Sequence, residues 1–200
     1  FDHIADLPIA LDAYYSRIKK SINIFATQAV ITILKEHIFN NKVWPDFSRI
    51  PLMNSNQPTI VFNEIKYFKE YAIGNFTIKP YPNFHTFGSC GLIINNCMVF
   101  TSDTALCYFT WKLLNENKNL KKLIIEVSFP SVFKKLAVMS RHLTPVLLKD
   151  ELKSLERDDV QIYINHIKYE YKDKIVSELK EIGLYDKVTI LDDNDEIELG

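Results

Sequence analysis

An α/β fold is predicted for this chain, and three observations predict it. Segments with apolar residues every three or four positions alternate with short runs rich in Val, Ile and Phe. The alternation is most regular beyond residue 104. A hydrophobic content of 47% over 200 residues is enough to cover a sheet with helices, and predicts one domain over 1–200.

Residues 4–19 place Ile4, Leu7, Ala10, Leu11, Tyr14 and Ile18 at helical spacing. "INIFAT" follows as a strand, "QAVITILKEHIF" as a second helix and "WPDFSRIP" as a loop punctuated by proline. "PTIVFNEI" and "FTIKPYP" are predicted strands, and "GLIINN" and "MVFTSD" form a hairpin turning at Asn95-Asn96. From there the order is helix "ALCYFTWKLLNEN", strand "KKLIIEVSF", helices "SVFKKLAVMS" and "PVLLKDELKSLE", strand "VQIYINHI", helix "YKDKIVSELKEIG" and strand "VTILD". The end, "LDDNDEIELG", is polar and acidic.

Composition excludes several classes of function. With 24 basic against 25 acidic residues, the net charge of −1 argues against nucleic acid or an anionic membrane as the main partner. No apolar run reaches the roughly 18 residues that a membrane helix needs. Cys90, Cys97 and Cys107 are odd in number and lack C-x-x-C spacing, so reduced, buried thiols are expected. Reduced thiols point to the cytoplasm; the periplasm is the alternative if a leader precedes Phe1.

Candidate chemistry gathers at the ends of strands. His85, His142 and His166 are read as ending or following strands, Asp103 closes "MVFTSD", and His3 follows Asp2. Side chains at strand ends face a shared crevice where ligands bind. Imidazoles with carboxylates suit zinc or a similar divalent ion, and a bridging carboxylate can hold two metals ~3.5–4 Å apart. The plainer alternative for Asp103 or Thr104 is a helix N-cap before Ala105, and His37, within a helical stretch, is read as structural.

The ordered motifs resemble a known family. "DHIADLP" is similar to the tail of the H-x-H-x-D-H signature of the metallo-β-lactamase-fold hydrolases. "HIFNNKVWPD", "TSDTALC", "LIIEVSFP", "SRHLTP" and "NHIKYEY" occur in the order seen in the class II cyclic-nucleotide phosphodiesterases, a branch of that superfamily. The resemblance runs from Asp2 to about Ile190 and implies a metallo-β-lactamase-like αββα sandwich. On that resemblance Asp2, His3 and His166 hold a second metal, Asp103 bridges, and His85 is a ligand of the first. His142 would stand beside the scissile phosphate with Glu126 holding its imidazole, and Trp44, Phe84 or Phe87 would stack on the base. The family has glycine where Ser102 and Arg141 stand, and glycine there would permit a positive φ.

The implied reaction is Zn2+-dependent hydrolysis of a 3′,5′-cyclic nucleotide, cAMP or cGMP, by two metals per intact site. The chain opens without Met and with its apolar pattern already running by Ile4. A truncated N-terminus is therefore expected, with the H-x-H ligands and the first strands of the sheet upstream. Such a fragment would bind one metal better than two, be inactive alone, and expose a sheet edge; a homodimer is compatible with that exposure. Two alternatives stand: an RNA-processing endonuclease of the same superfamily, against which the near-zero charge counts, and a non-catalytic member that keeps the fold for binding.

Overall fold

The computed structural model describes residues 3–199. The chain divides into two compact units, the first ending at Lys66 and the second beginning at Tyr67. Among the described residues, no helix is long and apolar enough to cross a membrane.

In the first unit, α1 (Asp6–Tyr14) tightens into a 3-10 turn at Tyr15–Arg17, so the regular helix is shorter than the apolar spacing predicts. β1 (Ile22–Ala26) leads to α2 (Gln28–Ile33), which widens into a π turn over Leu34–Ile38 that contains His37. β2 (Ile60–Glu64) pairs parallel with β1, from Ile22 opposite Ile60 to Ala26 opposite Glu64. Leu11, Leu34, Ile38, Phe39, Phe47 and Ile60 form the core of this unit. Trp44 is partly buried and packs against that core.

The second unit is built on a seven-stranded sheet in sequential order. β3 (Tyr71–Ile73), β4 (Phe76–Pro82), β5 (Cys90–Ile94) and β6 (Met98–Phe100) form an antiparallel meander. The β5–β6 turn is the expected one: Asn95 and Asn96 have φ of 49° and 51°, the left-handed pair that a tight hairpin requires. β3 was not anticipated, although Gly74 at φ 59° followed by Asn75 is the same kind of signal.

β7 (Lys122–Glu126), β8 (Gln161–Asn165) and β9 (Val188–Ile190) continue the sheet parallel to β6. Parallel strands are covered on both faces, which is why "LIIEV" is apolar nearly throughout, and Leu123, Ile125 and Val127 are fully buried. The covering helices are α3 (Tyr108–Glu116), α4 (Lys134–Ser140), α5 (Pro145–Glu151) and α6 (Lys172–Glu181). α5 starts on a local signal: the Thr144 side chain accepts from Leu147 N at 3.3 Å, and Pro145, which has no N–H to lose, takes the first helical position. Of the three free cysteines, Cys107 is buried as expected, whereas Cys90 and Cys97 are half-buried.

Gly91 of β5 faces Tyr81 of β4 in register, and a Cβ on it would lie 2.3 Å from the Tyr81 ring. That ring is fully buried, with its hydroxyl 2.9 Å from Thr110 Oγ1, so it has nowhere to move. Gly91→Ala should therefore destabilise the protein by roughly 1–3 kcal/mol in urea denaturation. An effect below about 0.5 kcal/mol, the size of an ordinary surface substitution, would show that the ring gives way.

Candidate metal centre

The parallel strands β6, β7 and β8 end on one edge of the sheet, and β4, antiparallel to β5 as β5 is to β6, ends on the same edge. The candidate residues follow those ends. Asp103 comes three residues after β6, Glu126 closes β7, His166 follows β8, and His85 lies in the loop after β4. His142 departs from expectation: it follows helix α4, not a strand.

Asp103 does not cap a helix. α3 begins only at Tyr108 and has no side-chain cap, while Thr104 N donates to Glu126 Oε1 at 3.2 Å and Thr104 Oγ1 donates to the Leu106 carbonyl. The turn is tied instead to the exit of β4, because Asn83 Nδ2 donates to the carbonyls of Thr101 and Asp103, both at 2.9 Å. The Asp103 carboxylate, 8% exposed as a residue, then stands between two imidazoles. Oδ2 lies 3.8 Å from His85 Nε2, and Oδ1 lies 3.6 Å from His166 Nε2. Both separations are too long for a hydrogen bond and suit donors that share an ion about 2.0–2.2 Å from each.

The ligand atoms of His85, Asp103 and His142 all lie within 4.8 Å of one another. His85 Nδ1 is 3.1 Å from the Arg141 carbonyl, a contact that only the Nδ1–H tautomer makes, so the lone pair is on Nε2, toward Asp103. His166 stacks on His142 with ring centroids 5.6 Å apart. His3 lies exposed in a turn of the first unit, and Asp2 is outside the described residues. Phe84 and Phe87 are exposed, Phe84 beneath the Arg141 guanidinium.

Beside this group sits a buried ion pair. Glu126 has no exposure and accepts from His142 Nδ1 at 2.7 Å, from Ser128 Oγ at 2.8 Å and from Thr104 N. Ser128 Oγ is also 3.1 Å from His142 Nδ1. Burial alone would lower the His142 pKa, but the hydrogen bond to Glu126, its charge and that of Asp103 outweigh burial and raise it above the ordinary value, against a smaller opposing effect of Lys168. Ser128 was not singled out in the sequence, where nothing distinguishes it from other hydroxyl residues, and Thr104 was weighed only as a helix N-cap.

The backbone is held in unusual conformations here. Among the described residues eight non-glycine positions have positive φ; four are Asn, which tolerates it, and three of the other four are Ser102 (54°), Arg141 (60°) and His166 (56°). Ser102 and Arg141, standing where the resemblance expects glycine, thus keep the left-handed turn without it. Each costs on the order of 1 kcal/mol, and such strain persists where surrounding contacts over-determine a site.

Comparisons with known proteins bear on the fold. Residues 1–89, up to and just beyond His85, match the family of class-II cAMP phosphodiesterases. No curated protein matches the chain. Among solved structures, unliganded yeast PDE1 superposes with a TM-score of 0.73 at 19% identity, covering 95% of this chain and 63% of its own. The metallo-β-lactamase fold protein YhfI from Bacillus subtilis gives 0.64 at 17%, covering 95% and 70%. The short form of human tRNase Z gives 0.60 at 15%, covering 97% and 73%. The α/β fold is therefore the metallo-β-lactamase fold, and the chain spans less than two thirds of the yeast protein's length.

The His142–Glu126 pair makes metal-free stability depend on pH with a definite sign. A folded-state pKa raised above the unfolded value of about 6.5 gives stability fully present below that value and lost as pH rises through the folded pKa. In chelator-treated protein the stability advantage of wild type over His142→Gln should thus be largest at acid pH and shrink above it. An advantage that grows with pH in urea melts would contradict the pairing.

Proposed function

From a metallo-β-lactamase fold and a class-II cAMP phosphodiesterase match over residues 1–89, we propose that the protein hydrolyses 3′,5′-cyclic nucleotides to 5′-monophosphates with divalent metal, zinc foremost. The observation that carries this reading is the placement of Asp103, with one carboxylate oxygen toward His85 and the other toward His166. That is the arrangement of a carboxylate shared between two cation sites, one served by His85 and one by His166.

When bound, cations at this carboxylate would supply Lewis-acid charge against the phosphoryl oxygens and lower the pKa of water toward 7. The chain's own residues orient and protonate. His85 presents Nε2 because its Nδ1–H is held by the Arg141 carbonyl. Glu126 fixes Nδ1–H of His142, which leaves Nε2 for the substrate. As water attacks phosphorus and gives up a proton to solvent, the P–O3′ bond breaks and His142, whose pKa is raised above the ordinary value, gives its Nε2 proton to the departing O3′. A cyclic nucleotide is small and carries one negative charge, so it needs no basic tract, in keeping with the net charge of −1.

Hydrolysis of cAMP and cGMP by the full-length protein tests this, beside cleavage of a precursor tRNA. Asp103→Asn should abolish turnover and metal binding together, and His142→Ala should lower kcat by roughly 10²–10⁴-fold. Because His142 acts protonated, turnover should fall as pH rises through its raised pKa. Glu126→Gln removes the charge that raises it and should move that limb to lower pH. Cleavage of the tRNA without cyclic-nucleotide turnover would transfer the site to RNA processing.

A further inference from the structure

The cation nearest the His85 loop belongs to a residue whose backbone should not favour it. Arg141 ends α4 at φ 60° and ψ 51°, a left-handed conformation that glycine adopts freely and arginine does not. Its two halves both act on residues 84–85. The Arg141 carbonyl accepts from His85 Nδ1 at 3.1 Å. The Arg141 Nη1 donates to the His85 carbonyl, and the guanidinium lies 5.2 Å from the centroid of the Phe84 ring. The left-handed turn is what lets the carbonyl and the side chain of one residue reach the same neighbouring segment, which a right-handed continuation of α4 would separate.

We propose that Arg141 is a positioning residue: a two-point latch that clamps the His85 loop to the end of α4, holds His85 in its Nδ1–H tautomer and so presents Nε2 to the cation site beside Asp103. The proposal rests on the metal reading given above for its consequence but not for its geometry. It also accounts for the persistence of a strained arginine, since removing the strain with glycine would release the loop. A guanidinium suits the task because its fork can donate to a carbonyl while its flat face lies on an aromatic ring. The opposite edge of the His85 loop is already held, Phe84 N by Thr104 Oγ1 at 3.3 Å and the Phe84 carbonyl by Ala105 N at 3.1 Å. The latch thus fixes the remaining side, that of the imidazole.

The test uses Arg141→Gly and Arg141→Asn, both of which tolerate a left-handed turn and neither of which can reach the His85 carbonyl, with Arg141→Lys as the variant that restores the charge. In chelator-treated protein at pH 8, 15N correlation spectra of the imidazoles should show His85 as the Nδ1–H tautomer in wild type and as a mixture in the Gly and Asn variants, without loss of urea stability. Zn2+ affinity, measured by competition with a chromophoric chelator, should fall about tenfold or more in both variants and recover in part with lysine. An unchanged His85 tautomer in the Gly and Asn variants would overturn the latch, as would unchanged Zn2+ affinity in a protein whose wild type binds the ion. Wild type that binds no Zn2+ would sink the metal reading instead, and the latch would then stand or fall on the tautomer.

Discussion

A carboxylate with no solvent exposure sits at the carboxyl end of a central parallel strand, and its need for donors organises what surrounds it. Removing Glu126 from water costs several kcal/mol unless hydrogen bonds replace hydration. Three donors do so, and they come from three different segments: Thr104 N from the turn after β6, Ser128 Oγ from the exit of β7, and His142 Nδ1 from the end of α4. Satisfying one buried charge thus fixes the backbone next to Asp103 and the imidazole that faces it. Charge-assisted hydrogen bonds are short and directional, so they restrict geometry more tightly than apolar packing would.

From that anchor the rest of the centre follows by adjacency. His142 is held, and the residue before it, Arg141, turns left-handed and grips the His85 loop from one side while Thr104 and Ala105 hold it from the other. His85 and His166 are left on opposite oxygens of Asp103. The apolar layer beneath, with Leu123, Ile125, Leu143 and Ile164 fully buried, supplies rigidity, and the polar groups are confined to the strand ends where the sheet stops. Strain at Ser102, Arg141 and His166 is therefore located where hydrogen bonds over-determine the chain, not in its core.

Much of this was legible in the sequence because it depends on periodicity. Alternating helix and strand patterns located the parallel half of the sheet, and Asn95-Asn96 located a hairpin, since only a few residues accept paired left-handed turns. Asp103, His85 and His166 were visible as polar residues ending apolar runs, a position that implies a crevice. His142 was grouped with the strand ends although the helix "SVFKKLAVMS" predicted just before it already places it at a helix end. The alternative of an N-cap at Asp103 or Thr104 fails because four more residues pass before α3 begins at Tyr108, and Thr104 is spent on Glu126 and the Phe84 backbone. Positive φ at Ser102 and Arg141 was signalled only by the glycines of the resembled family, not by the residues themselves, and hydroxyl partners such as Ser128 are too common to single out.

The central claim is that Asp103 is shared between two cation sites. Anomalous diffraction at the zinc edge from Zn2+-soaked crystals of the full-length protein tests it most directly. The account predicts two peaks flanking the Asp103 carboxylate, one between Oδ2 and His85 Nε2 and one between Oδ1 and His166 Nε2. No peak there, or zinc found only at residues away from Asp103, would contradict it.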